Sequence, residues 1–222
     1  MQEPPSTDEE RYAALRDEMV ASQLQARGIR DERVLAAMGE VSRHLFVPSR
    51  QRSRAYDDCA MAIGEGQTIS QPYMVGLMLQ MLRTGPETVA LEVGAGSGYQ
   101  AALLGRLCRK VYAVEIVEAL ADRARGTLAE LGADNVEIVC GDGSLGLPEH
   151  APYDAIIVAA GAPEVPEPLQ EQLADGGRLV APVGDRFGQQ LIICERAGDE
   201  VARSHGIGCV FVPLIGEHGW RG

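Results

Sequence analysis

The most regular feature of the chain is a series of short apolar runs set between polar, helix-forming stretches. Val89–Val93, Lys110–Ile116, Val136–Cys140, Tyr153–Val158 and Arg178–Val183 are such runs. Short runs rich in β-branched residues and stopped by glycine suit strands buried on both faces. Between them, Tyr99–Leu107 and Glu118–Leu131 are rich in Ala and Leu and predict helices. Ala159–Pro168 carries three prolines and reads as a loop, and Leu169–Leu173 closes a short helix. Strands alternating with helices predict a mostly parallel sheet covered on both faces, a doubly wound Rossmann-like α/β fold. Gly176-Gly177 marks a turn before the fifth strand. Gln190–Cys194 and Cys209–Val212 are further strand candidates, and no full helix separates them, so an antiparallel edge is expected.

The first third of the chain has a different pattern. Thr7 followed by Glu10 is a capping box. Tyr12, Leu15, Met19 and Leu24 then give an amphipathic helix ending near Gly28. Asp31–Met38 reads as a second helix with Asp31 as N-cap. Residues 41–63 have no clear period and read as loop and short helix, while Met1–Ser6 is polar, carries two prolines and is expected to be disordered. Gly64–Gly76 is polar and glycine-rich, and Tyr73–Leu82 is an amphipathic helix with Pro72 in its first turn. The expectation is one domain over 1–222. Residues 1–84 form a helical extension on the substrate side, and 85–222 form the cofactor-binding core.

The candidate chemistry lies at the ends of the predicted strands. After Val93 the chain turns through Gly94, Gly96 and Gly98, a G-x-G-x-G spacing that differs from the G-x-G-x-x-G of dinucleotide sites. Glu92 stands two residues before the first glycine. An acid there suits a ligand with an ammonium group better than a pyrophosphate, and S-adenosylmethionine is such a ligand. Glu115, at the end of the next strand, has the offset of an acid that takes ribose hydroxyls; it also suits a helix-start acid. Asp142 between Gly141 and Gly143 can accept from an adenine amino group or serve an ordinary turn. Ser70 is either the N-cap of the helix after it or a hydroxyl aimed into the cleft.

Composition narrows the classes. The 222 residues suffice for one well-buried domain, and 45% are hydrophobic. No apolar run is long enough for a membrane span, and no signal peptide is visible. Five scattered cysteines show neither metal-ligand spacing nor a disulfide pattern, so free thiols in a reducing cytoplasm are expected. A net charge of −12 argues against a nucleic-acid partner. No metal site is expected, and His44, His150, His205 and His218 read as surface or packing residues.

Several stretches together resemble the protein-L-isoaspartate O-methyltransferase family: Q-L-Q-A-R-G-I-R-D-E-R-V-L-A-A-M ending at Met38, G-Q-T-I-S-Q-P-Y-M-V at 66–75, L-E-V-G-A-G-S-G-Y-Q at 91–100, G-D-G at 141–143, P-Y-D-A-I-I-V at 152–158, G-G-R-L-V-A-P-V-G at 176–184 and F-V-P-L at 211–214. The resemblance runs from about Met19 to Leu214; the glycine loop is shared by many methyltransferases, the Ser70 motif and F-V-P-L are not. Ser42 stands where a proline often precedes the arginine, and Met61-Ala62 where Leu-Pro is usual. The resemblance implies Ser70 as the active-site serine. It implies a cofactor site from Gln71, Pro72, Tyr73, Met74, Glu92, Gly94, Gly96, Gly98, Glu115, Asp142 and Gly143, and substrate contacts from Thr68, Ile69, Val212 and Ile215. It further implies methyl transfer to the α-carboxyl group of isoaspartyl residues in damaged proteins and peptides, giving an ester that collapses to a succinimide. S-adenosylhomocysteine is the co-product, and a monomer is expected.

A free carboxylic acid ionises with a pKa of about 4, so at pH 7 it is already a carboxylate and such a reaction needs no general base. An acidic protein taking an acidic substrate is a tension, which local N–H donors or Arg52 and Arg54 would offset. The rival readings are a methyltransferase for a small molecule or RNA, a nicotinamide dehydrogenase, and a non-catalytic adenosylmethionine sensor. Charge weighs against RNA; the glycine spacing and Glu92 weigh against the dehydrogenase.

Overall fold

Helix α1 (Asp8–Glu18) opens on a reciprocal capping box, with Glu10 N–H donating to Thr7 Oγ1 at 3.2 Å and Thr7 N–H to Glu10 Oε2 at 3.0 Å. The helical path continues through a wider π-turn, Met19–Leu24, and a tight turn, Gln25–Arg27, and stops at Gly28 with φ 96°. Asp31 caps α2 (Glu32–Glu40), accepting from the N–H groups of Arg33 and Val34. The computed structural model describes residues 7–221, so the expected disorder of Met1–Ser6 lies outside the described residues. Between α2 and the main sheet come two short 3-10 turns, Arg43–Phe46 and Ser49–Arg54. A small antiparallel hairpin follows, β1 (Met61–Gly64) and β2 (Gln67–Ile69), which the sequence pattern did not predict. Helix α3 runs Pro72–Leu82.

The main sheet has seven strands: β3 (Val89–Val93), β4 (Lys110–Glu115), β5 (Val136–Cys140), β6 (Tyr153–Val158), β7 (Leu173–Gly184), β8 (Gln189–Ala197) and β9 (Glu200–Cys209). Their spatial order is β5-β4-β3-β6-β7-β8-β9, with β3 to β7 parallel and β8 antiparallel to both neighbours. Helices α4 (Tyr99–Leu107), α5 (Glu118–Glu130) and the short α6 (Glu167–Glu171) make the crossovers. The chain order reverses beside β3, and in such sheets ligands bind outside the carboxyl ends of the strands at that point.

Alternation along the strands divides the core. Ala90, Val111, Ala113 and Ile157 join the side chains of α2–α5, whereas Leu91, Val93, Val114 and Val158 pack with Leu169 and Leu214 on the other face. The expected antiparallel edge is present, but its last strand is not 209–212. β9 lies earlier and is largely exposed, so its polar residues hid it from an apolar-run reading. β7 likewise begins at Leu173, before the Gly176-Gly177 turn that was expected to precede it. Gly177 fits there because a Cβ would stand 2.8 Å from the Ala174 carbonyl oxygen and 2.9 Å from that of Tyr153. Beyond β9 the chain crosses back over the strand ends, bridging Gly161 to Pro213 and Ile215 to Trp220. Among the described residues no helix is long and apolar enough to cross a membrane.

Candidate active site

The carboxyl ends of β3, β4 and β5 form one half of the site. Gly94, Gly96 and Gly98 have φ of 88°, 54° and 84°, a region that residues with a Cβ rarely enter. The N–H groups of Gly94 and Ala95 donate to the Val114 carbonyl at 2.8 and 3.1 Å, which fastens the turn to β4. Glu115 is buried at that strand end. Its Oε2 accepts from Gly96 N–H at 2.8 Å and its Oε1 from Val117 N–H at 2.9 Å. A carboxylate has about four lone-pair sites, so Glu115 retains acceptors for two hydroxyl groups. Gly94, Gly96, Glu115 and Gly143 line a small cavity of about 60 Å³, closed on its other side by Thr68, Val212 and Ile215.

Glu92 lies beneath this turn and is 1% exposed. Among the described residues neither of its carboxylate oxygens has a hydrogen-bond partner, and the nearby Gln100 amide nitrogen has none either. Burial, with the charge of Glu115 added to it, pushes the Glu92 pKa well above the carboxylate range. An orphaned buried acid is costly; Glu92 is not among the residues lining the cavity, but a cation brought close to it would relieve that cost. The site therefore fits a ligand that combines a ribose with a positively charged tail.

Asp142 does more than border a turn. Its Oδ1 accepts from the Ser144 N–H at 2.9 Å and the Ser144 hydroxyl at 2.7 Å, and its Oδ2 from Glu217 N–H at 2.7 Å. Burial alone would raise its pKa, but the Ser144 hydroxyl and the two N–H donors hold it below the usual value. Asp142 thus anchors the returning C-terminal segment and keeps one free acceptor position on Oδ2. Its neighbour Gly143 lines the cavity, where a Cβ would come within 2.7 Å of Val93.

The second half is a cavity of about 250 Å³ lined by Ser70, Gln71, Met74 and residues 208–212. It shares Thr68, Ala159 and Val212 with the first, so the two halves adjoin. Of the two roles open to Ser70, the structure does not show the N-cap. Helix α3 begins at Pro72, its N-cap is Gln71, and no side chain of that N-cap closes it. Instead Asp58 reaches the helix start from outside the motif, accepting from Tyr73 N–H at 3.3 Å and from the Gln71 amide at 2.7 Å. The Ser70 hydroxyl makes no hydrogen bond among the described residues, and only the Ser70 carbonyl is engaged, by Arg43.

The structure sets several of the expected residues apart from these two cavities. Pro72 is buried in α3, and Tyr73 lies under the Arg27 guanidinium at 3.6 Å from its ring centroid; neither is among the residues lining the two cavities. Ile69 is buried and pairs with Met61, so it supports the hairpin rather than the lining. Arg52 borders a separate cavity with Phe46 and Ser97, and the exposed Arg54 pairs with Asp57, so neither offsets charge in the Ser70 cavity. Sequence reasoning missed Asp58 and Arg43, because neither stands at a strand end or in a glycine turn. His44 stacks on Tyr12 and His150 on Tyr112, as packing residues do. Among the described residues no group of three or more His, Cys, Asp or Glu side chains could hold a metal ion.

Comparison with known proteins gives a concordant result. A sequence profile described as protein-L-isoaspartate(D-aspartate) O-methyltransferase matches residues 15–219. A Methanoregula boonei protein-L-isoaspartate O-methyltransferase is 53% identical over 217 residues, 98% of this chain and 97% of that one. A Roseiflexus protein of the same name is 56% identical over 194 residues, covering 87% and 89%. Among solved structures, a protein-L-isoaspartate O-methyltransferase superposes with a TM-score of 0.82 at 29% identity, over 92% of this chain and 67% of that one. A Plasmodium falciparum structure, titled as a putative member in complex with S-adenosyl-L-homocysteine, gives 0.77 at 26% identity, over 92% and 98%. With the strand-end acids, the glycine turn and the unpartnered serine in place, the chain belongs to the protein-L-isoaspartate(D-aspartate) O-methyltransferase family.

Proposed function

We propose that this chain transfers a methyl group from S-adenosylmethionine to the α-carboxyl group of L-isoaspartyl residues in damaged proteins and peptides, which starts their repair through a succinimide. The observation that carries this reading is the unpartnered Ser70 hydroxyl in a cavity that adjoins the glycine-turn pocket and shares Thr68, Ala159 and Val212 with it. The names of the relatives and the S-adenosylhomocysteine in the Plasmodium structure's title support it. The bound cofactor supplies an electrophilic methyl group on a sulfonium. Glu115 accepts from the ribose hydroxyls, Glu92 balances the cationic tail, and Gly94, Gly96 and Gly98 let the backbone approach. Asp142 and Gly143 form the adenine end, with Thr68, Val212 and Ile215 as the opposite wall. Ser70 donates to the substrate carboxylate and orients it toward the first cavity. Gln71 and Met74 shape the walls around it. No residue needs to remove a proton, since the nucleophile is already ionised at neutral pH. Catalysis then rests on alignment and exclusion of water.

The protein works in this reading as one monomeric methyltransferase unit in the cytoplasm, without nucleic-acid or membrane partners. The test is methyl transfer to paired peptides that differ only in an isoaspartyl or an aspartyl link. Transfer to the isoaspartyl peptide alone is expected; equal transfer to both, or to neither, refutes the assignment. Calorimetry should find S-adenosylhomocysteine binding and no comparable NAD binding.

A further inference from the structure

Arg43 is the largest fully buried side chain, with 0% exposure. Among the described residues no carboxylate forms an ion pair with it; its titratable neighbours are the phenols of Tyr99 and Tyr56 and the thiol of Cys59. Its Nε donates to the Ala55 carbonyl at 2.8 Å, one Nη donates to the Ser70 carbonyl at 2.8 Å, and the other Nη has no partner among the described residues. The guanidinium carbon stands 4.9 Å from the Tyr99 ring centroid, a cation–π contact that returns only part of the lost hydration. A buried charge without a counter-charge is expensive, and among the described residues no carboxylate offsets that cost. The one functional group it touches is the residue that lines the cavity.

We infer that Arg43 is a positioning residue for the substrate: it fixes the Ser70 backbone and supplies, from behind that residue, the positive potential that an anionic carboxylate meets in the Ser70 cavity. This rests on the proposal that the cavity takes an isoaspartyl carboxylate. It accounts for an anionic substrate in a protein of net charge −12, a role that Arg52 and Arg54 do not fill. Because the charge is buried, salt should screen it far less than an exposed arginine.

The test compares a blocked isoaspartyl peptide having uncharged neighbours with its neutral α-amide analogue, used as a competitive inhibitor. Wild type should favour the acid, and Arg43→Met should cut that preference about tenfold, equivalent to 1.4 kcal/mol. Arg43→Lys, which keeps the charge but not the fork, should recover most of the preference. S-adenosylhomocysteine affinity serves as the control and should hold. Unchanged preference in Arg43→Met, or equal loss for acid and amide, would overturn the inference, the second marking a packing role only. If Arg43→Met does not fold, wild type decides alone. Its KM for the acid should change less than about twofold between about 0.05 and 0.5 M salt, and a larger rise would hand the role to exposed charges. Wild type that methylates no isoaspartyl peptide would sink the functional assignment instead.

Discussion

Replacing Ser70 by alanine separates a structural hydroxyl from a substrate-orienting one. An N-cap serine typically contributes about 0.5–2 kcal/mol to stability. Ser70 holds no such position, since α3 starts after Gln71 and Asp58 takes the Tyr73 N–H. The hydroxyl has no partner among the described residues, so its removal strands no donor or acceptor there. The expected loss is below about 0.5 kcal/mol, under about 2 °C in Tm for a chain of this size. A hydrogen bond from this hydroxyl to a carboxylate is worth about 1.5–3 kcal/mol. Its loss should lower kcat/KM about 10- to 150-fold. The carboxylate gives up charge as the ester bond forms, so the bond is stronger before transfer than during it. The loss should therefore appear mainly as a higher KM, with kcat little changed. Ser70→Thr keeps the donor but crowds the cavity and should fall between. Steady-state and single-turnover transfer, thermal melting and S-adenosylhomocysteine titration measure the four quantities on one preparation. A Ser70→Ala protein that transfers methyl groups normally, whatever its melting temperature, would refute the orienting role.

Other expectations follow from the same site. Glu92 has a raised pKa in the folded state, so its contribution to stability is fully present below the unfolded value of about 4.3 and is lost as pH rises through the folded one. Glu92→Gln should then gain stability over wild type at pH 7 to 8 more than at pH 4, while weakening S-adenosylhomocysteine binding. A Tm difference independent of pH would count against a protonated Glu92. Gly98→Ala must hold alanine at φ 84° with its Cβ 3.1 Å from Ala124, costing about 1–2 kcal/mol and displacing the turn; unchanged melting and cofactor affinity would contradict this. In thiol titration without reductant the exposed Cys140 should react first, and the buried Cys108, its pKa pushed up to about 12, late; denaturation should give all five thiols. Fewer than five would overturn the cytoplasmic reading.

The glycine-turn half of the candidate site was legible because its signals are local. Glu92, the glycines, Glu115 and Asp142 each sit within a strand–turn unit that one window of sequence displays. Thr7, Asp31 and Gly28 were legible for the same reason, as caps whose partners lie three residues away or fewer. The substrate half was less so, because its geometry is made by contacts distant in sequence. Asp58 reaches Tyr73 across 15 residues and Arg43 reaches Ser70 across 27, and neither contact leaves a periodic trace. Strands β1 and β2 are too short to show alternation, and β9 is too polar. Pro72 and Tyr73 follow Ser70 in the motif, but α3 turns them away from the lining; a linear motif does not say which way its helix faces.

The hairpin β1–β2 belongs to a two-stranded sheet of its own, separate from the seven-stranded one. The glycine turn and Glu115 are fastened to the large sheet, while Thr68 comes from the hairpin and residues 210–212 from the segment after its outermost strand. Variation at Thr68 or Val212 therefore acts on both cavities at once, because each of these residues lines the two. Laboratory evolution toward new carboxylate acceptors would do best to randomise Ala60, Val210 and Phe211, which line the Ser70 cavity alone, and to leave Thr68, Ser70, Val212 and the β3–β5 ends unchanged.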